Sequence, residues 1–206
     1  MLETLQAGLE RLDIKAEQPL CTAYLRYIEL LAKWNTAYNL TAVKEPEAML
    51  KRHILDSLSV HSFVEGEHCL DIGTGAGLPG LILALAQPGK HWTLLDSNQK
   101  KIRFLRHVIS ELKINNVELV HGRIETFKPA KEFDTIICRA FAPLVRMLEQ
   151  TQHLLTTTNQ LLAMKGKQVD AEIDELGKHE FLIKLNDLAL SGDDASAKLA
   201  QIQRSA

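Results

Sequence analysis

The stretch Leu70-Asp71-Ile72-Gly73-Thr74-Gly75-Ala76-Gly77-Leu78-Pro79-Gly80 decides the fold. Four glycines fall between one apolar run and the next. A strand that ends in glycine-rich backbone and restarts as a helix leaves a notch the size of a nucleotide. Glycine takes positive φ without a Cβ penalty and lets a ligand approach the main chain. The helix that follows presents N–H groups that have no intrahelical partner.

Outward from this loop, the period of the apolar residues changes at about residue 66. Cys69-Leu70-Asp71-Ile72 is a short buried-type strand, and a helix over Pro79–Ala86 is closed by Pro88-Gly89. Trp92–Asp96 is a second strand, followed by an amphipathic helix over 98–113 with Ile102, Leu105, Val108, Ile109 and Leu112 facing inward. Val117–Val120, Phe133–Cys138, Leu161–Met164 and Phe181–Leu185 are further strands, with helices expected near 144–155 and 168–178. Ala197–Ser205 alternates weakly and suits a closing strand. Strands alternating with helices predict an α/β, Rossmann-like, doubly wound and mostly parallel sheet. Upstream, Leu20, Tyr24, Tyr27, Ile28, Leu31, Trp34 and Tyr38 recur at helical spacing until Asn39-Leu40-Thr41 breaks the pattern. Pro46 suits the first turn of another helix. The expected organisation is an N-terminal helical cap over 1–65 on a domain over 66–206, one integrated unit.

A chain of 206 residues is long enough for one sizeable core. Its net charge of −2 implies no global attraction to nucleic acid or anionic membrane. Cys21, Cys69 and Cys138 are scattered without a CxxC, which argues against a zinc site or a disulfide framework. No metal is expected. The N-terminus has no basic segment followed by an apolar run, so a cytoplasmic protein without membrane contact is the expectation.

Two ligand frames compete in the loop. Gly75-x-Gly77-x-x-Gly80 fits a dinucleotide fingerprint, and Asp96 lies where a ribose-binding acid belongs. Gly73-x-Gly75-x-Gly77 fits the looser pattern of S-adenosylmethionine (AdoMet) methyltransferases, which also use an acid after the second strand. Gly73 stands at the strand's end, where a first glycine belongs, and the dinucleotide frame counted from it fails at Leu78. Asp71 would repel a pyrophosphate but could face the amino group of a methionine moiety, so a cationic, phosphate-free ligand fits better. A glycine turn needed only for packing is the remaining alternative.

Asn39-Leu40-Thr41, Arg52-His53-x-x-Asp56-Ser57-Leu58, the loop Asp71–Gly80 and Arg139-Ala140 occur in this order. Together they resemble the bacterial glucose-inhibited division protein B family over about residues 20–166. The resemblance implies a class-I AdoMet methyltransferase that modifies guanine N7 in 16S rRNA, within the small ribosomal subunit, acting as a monomer. It places the cofactor against Gly73, Leu78, Ile124, Glu125 and Arg139. Gly75, Gly77 and Asp96 match as general methyltransferase positions. The tail Ser191–Ala200 departs from the family pattern.

Guanine N7 carries an in-plane lone pair and no proton in the neutral base, so methyl transfer needs no general base. Positioning alone supplies much of such catalysis. The proximity of His53, Asp56 and Ser57 on one helix does not give triad geometry; a docking hydrogen-bond network is the plainer reading. Arg139 can hold a methionine carboxylate or an RNA phosphate, or pair structurally with Asp134 or Glu125. Lys100, Lys101, Arg103, Arg106, His107 and Lys113 form a basic helix side that either steers RNA or is an ordinary solvated face. Lys165 and Lys167, after the fifth strand, lie nearer the expected pocket. Trp34 and Tyr38 can stack on a base or simply pack the helix. Other readings are a methyltransferase of a small molecule or protein, a nucleotide-linked oxidoreductase, and a non-catalytic ribosome-assembly module.

Overall fold

The computed structural model describes residues 1–176, 180–188 and 197–205. Two helices open the chain, α1 (Leu2–Arg11) and α2 (Gln18–Tyr38). Then α3 (Pro46–Met49) runs through a π-helical stretch, Leu50–Leu55, into α4 (Asp56–Leu58). The remainder alternates: β1 (His68–Ile72), α5 (Gly80–Ala86), β2 (His91–Asp96), α6 (Gln99–Leu112) and β3 (Val117–His121). It continues as β4 (Thr135–Arg139), α7 (Leu144–Thr151), β5 (Gln160–Lys165), α8 (Val169–Leu176), β6 (Phe181–Asp187) and β7 (Lys198–Arg204).

One sheet takes the order β3-β2-β1-β4-β5-β7-β6. The first five strands in that order pair in parallel, and β7 pairs antiparallel with both β5 and β6. Connections reverse direction between β1 and β4, and ligands in such sheets sit beyond the strand ends at this point. Ile72 pairs with Cys138, which sets Gly73, just past β1, beside Arg139, the last residue of β4. The expected closing strand is present as β7, but it inserts between β5 and β6. Residues 189–196, which include most of the divergent tail Ser191–Ala200, lie outside the described residues.

Local chemistry explains the elements around the loop. Cys69, Leu70, Asp71 and Ile72 are all buried, as expected for a parallel strand covered on both faces. Asn98 caps α6 by accepting from the Lys100 N–H (2.9 Å), and Ile102, Leu105 and Val108 bury one side of that helix. Ile109 and Leu112, expected inward as well, are only partly buried.

The N-terminal helices share an apolar core with the sheet: Leu5, Tyr27, Leu31 and Leu50 pack in one cluster with Leu81, Leu94 and Leu105. Two buried phenols of α2 reach the glycine loop and α5. Tyr24 Oη donates to the Ile82 carbonyl (3.0 Å), and Tyr27 Oη donates to the Ala76 carbonyl (2.7 Å) inside the glycine loop. At the end of α2, Asn39 takes a left-handed conformation. Asn35 then clamps Thr41, accepting from its N–H (2.9 Å) and donating to its carbonyl (3.0 Å). Among the described residues no helix is long and apolar enough to cross a membrane.

Replacing Tyr27 with Phe removes the donor and leaves the Ala76 carbonyl buried and unpaired. The expected loss is about 1–3 kcal/mol of unfolding free energy, read by chemical denaturation; an unchanged midpoint and slope would contradict the bond's role.

Candidate active site

Three acceptors hold the glycine loop in place. Asp71 is fully buried, and its Oδ2 accepts from Thr74 Oγ1 (2.6 Å) and from the Gly80 N–H (2.8 Å). The Leu95 carbonyl accepts from the Gly73 and Thr74 N–H groups (2.8 and 3.1 Å). Asp96 Oδ2 accepts from the Gly75 N–H (2.8 Å), while its Oδ1 accepts from the Asn98 N–H (2.8 Å). Asp71 therefore lies beneath the loop and faces protein. The expectation that it meets a methionine amino group is corrected: Asp71 lines neither cavity, its Oδ2 is engaged by two donors of the loop and α5, and its Oδ1 is buried with no partner among the described residues. Burial pushes the Asp71 carboxyl up to about 6, against the lowering effect of those donors.

The loop's φ angles explain its composition. Gly73 lies at +66°, and a Cβ there would sit 2.9 Å from the Phe141 ring. Gly77 lies at +92°, and its Cβ would run into Leu81 and Leu105, so this glycine serves helix packing.

A cavity of about 310 Å³ opens past β1, β2 and β3. This is the lower end of the range for small-molecule sites. Gly73, Asp96, Ile124 and Glu125 line it together with Ile72, Leu95 and Phe141. Asp96 is only 6% exposed. Glu125 Oε1 accepts from Gln150 Nε2 (2.7 Å), which fixes the carboxylate at the rim. Gly75, Gly77, Leu78 and Arg139 do not line this cavity. Gly75 and Gly77 shape the loop, and Leu78 is buried in the shared core.

Arg139 lines a second, wider cavity of about 1130 Å³ between the cap and the sheet. Its wall also includes Lys51, Arg52, His53, Asp56, Lys165 and Lys167, and it shares Phe141, Ala142 and Pro143 with the first cavity. Arg139 Nη1 donates to Asp56 Oδ2 (2.8 Å) and to the Arg52 carbonyl (3.0 Å). The alternative of a structural pair holds with a different partner, Asp56, since Asp134 accepts from the Glu67 and His68 N–H groups. The Arg52 carbonyl belongs to the π-helical stretch, an irregularity that recurs at functional sites.

His53 Nε2 meets Thr41 Oγ1 at 2.8 Å. Burial, with the Arg139 charge nearby, pushes its imidazole down to about 4, so it is neutral at pH 7. Among the described residues Ser57 Oγ is buried without a partner, and it makes no bond to His53. Lys165 Nζ is committed to Glu172 (2.6 Å) and the Ala142 carbonyl (2.7 Å), which holds the wall between the cavities. Cys138 is buried, and burial pushes its thiol up to about 12.

Residues 20–198 match the family described as GidB, rRNA small subunit methyltransferase G. The chain belongs to this family. Relatives carry the same description: one from Nitrosococcus oceani is 43% identical over 97% of this chain and 93% of its own. Another from Chromohalobacter salexigens is 44% identical over 97% of this chain and 96% of its own. Among solved structures, the glycopeptide N-methyltransferase MtfA complexed with AdoMet aligns at TM-score 0.63 and 13% identity, over 75% of this chain and 88% of its own. The magnesium protoporphyrin IX methyltransferase ChlM from Synechocystis PCC 6803, with bound AdoMet, aligns at TM-score 0.61 and 16% identity, over 87% and 97%. At such identities these two show the fold, which is that of class-I AdoMet methyltransferases. The sequence resemblance to the family is confirmed. Tyr27, Asn35, Thr41 and Gln150 support the family's segments structurally, and sequence reasoning did not assign them these tasks.

The two perturbed groups oppose each other in pH. Asp71 has a raised folded pKa, so its contribution to stability is full below about 4 and is lost as pH rises through about 6. His53 has a depressed one, so its contribution is present above 6.5 and is lost as pH falls through about 4. In Asp71→Asn the opposing term is gone, and the depressed groups His53, His61, Glu111 and Asp134 all favour higher pH, so stability should rise with pH between about 4 and 6. Urea denaturation across that range measures it; a falling curve would contradict the assignment.

Proposed function

We propose that the protein transfers a methyl group from AdoMet to N7 of a guanine in 16S rRNA, in the cytoplasm, acting as a monomer on the small ribosomal subunit. Family membership carries the substrate, and the paired cavities meeting at Phe141 support a cofactor on one side and a base on the other.

The residues of the first cavity fit AdoMet. Ile72, Leu95 and Ile124 offer apolar walls of the kind an adenine ring needs. Each Asp96 oxygen accepts one backbone N–H and retains acceptor capacity. The acid can therefore hold the two ribose hydroxyls without moving. Glu125 stands across the cavity with one oxygen uncommitted to Gln150. Gly73, lacking a side chain, lets the Phe141 ring close directly on the loop, and the exposed main chain beside it is where the sulfonium end would approach. Bound there, the cofactor supplies an electrophilic methyl group.

In the second cavity, Arg139 keeps Nε and Nη2 available while Nη1 is held by Asp56 and Arg52. Those donors suit guanine O6, a phosphate or the methionine carboxylate. Lys51, Arg52 and Lys167 add positive charge around the same space. No side chain has to remove a proton, because N7 attacks with a free lone pair. Neutral His53, tied to Thr41, positions the cap wall rather than acting as a base.

Gly73→Ala should weaken AdoMet binding about tenfold or more, because its methyl group displaces Phe141 and strains the positive φ. Calorimetric titration reads this, with circular dichroism reporting the fold; undiminished affinity would contradict the placement. For the reaction, small subunits lacking the modification and labelled AdoMet should give label at a guanine N7 of 16S rRNA. Absence of label there, with AdoMet binding intact, would overturn the substrate.

A further inference from the structure

The near-neutral net charge hides a polar molecule. Over 99–113 the chain carries Lys100, Lys101, Arg103, Arg106 and Lys113 against one acid, Glu111. Over Val169–Leu176 it carries four acids and no base. Glu111 is already occupied by Arg26 (2.6 Å). That ion pair, with His107 and Lys33 nearby, holds the Glu111 carboxyl below the usual range. Among the described residues the side chains of Lys33, Lys100, Arg103 and Arg106 form no ion pair, and all four are exposed. Unneutralised charge on one face is the electrostatic footprint of a polyanion partner.

Rings lie beside these cations. Trp34 stacks on Tyr38 (centroids 5.2 Å apart) and lies 5.4 Å from the His107 ring, with Phe104 beneath it at 5.7 Å. Trp34 and Tyr38 are only partly buried, so the ledge they form has an open side. Unpaired bases stack on such surfaces whatever their identity.

A short hydrogen-bonded path runs from the end of α2 beside the ledge to the wall of the second cavity. Tyr38 ends α2, Asn35 clamps Thr41 one turn further on, and Thr41 Oγ1 bonds His53. His53 and Val43 are themselves in the cavity wall. We propose that the exposed face of α6, with the Trp34–Tyr38 ledge, is an RNA-docking surface that holds phosphates and unpaired bases and leads the strand toward the second cavity. This rests on the RNA substrate proposed above. It adds a surface outside both cavities that governs RNA affinity without touching the reaction.

Arg103→Gln/Arg106→Gln removes two cations from solvent-facing positions, and Arg103→Lys/Arg106→Lys keeps the charge. The measurements are methyl transfer to unmodified small subunits, fluorescence anisotropy with a single-stranded RNA at several salt concentrations, and AdoMet calorimetry. The Gln variant should raise KM for subunits about tenfold and lower the slope of log affinity against log salt by about 1.4. Its kcat and AdoMet affinity should match the parent, and the Lys variant should restore most of the RNA affinity. Tyr38→Ala should weaken RNA binding with an unchanged salt slope. Parent-like KM and salt slope in the Gln variant would overturn the inference and leave the proposed function standing. A raised KM for subunits with unchanged binding to RNA alone would place a protein on this face and also overturn it. If the parent binds AdoMet but neither binds nor methylates RNA, the proposed function falls, and this surface with it.

Discussion

A carboxylate buried at the end of the central strand ties the glycine loop to the sheet. Asp71 accepts from Thr74 at the start of the loop and from Gly80 at its exit, so one side chain closes the turn at both ends. An ionisable group in a fully buried position is costly unless it is hydrogen-bonded, and here the bonds shape the site. With the turn closed, Gly73 lines the first cavity against Phe141, which both cavities share, and the Gly75 N–H points at Asp96. The acid that faces the ligand cavity is therefore set by the acid that does not.

The cap completes this arrangement from outside. Tyr27 bonds the loop at Ala76, and Asp56 with the Arg52 carbonyl fixes Arg139 at the end of β4. These contacts join residues far apart in sequence, so the loop, the cap and the strand end form one rigid frame around two spaces. Such a frame suits a reaction that depends on holding two partners in line rather than on moving protons. The two spaces differ in charge: Asp96 and Glu125 face Arg123 and Arg146 around the first, while Lys51, Arg52, Arg139, Lys165 and Lys167 outnumber Glu47, Asp56 and Glu172 around the second.

Much of this was legible in the residues. The β1–loop–α5 unit follows from an apolar run, glycines and an acid in register, and the sheet follows from alternating periods. The cap's long helix was evident from aromatic residues at helical spacing. That spacing looks the same whether a phenol packs or donates, so the bond from Tyr27 to the loop was hidden. The π-helical stretch has no composition of its own and could not be foreseen. Asp71 was misread because a strand end does not announce which face its side chain takes; the pleat turns it onto the start of α5. The partner of Arg139 lies 83 residues upstream, and nothing in local pattern singles out Asp56 over Asp134. The family resemblance located the segments that matter, while the structure supplied the division of labour among them.

The most direct test of the account is a crystal structure of the protein with S-adenosylhomocysteine. The adenosine should lie in the cavity lined by Gly73, Asp96, Ile124 and Glu125, with its ribose hydroxyls on Asp96 and its sulfur toward Phe141 and the second cavity. A cofactor found in the wide cavity beside Lys51 and Lys167, or one that leaves Asp96 without a hydroxyl partner, would contradict it.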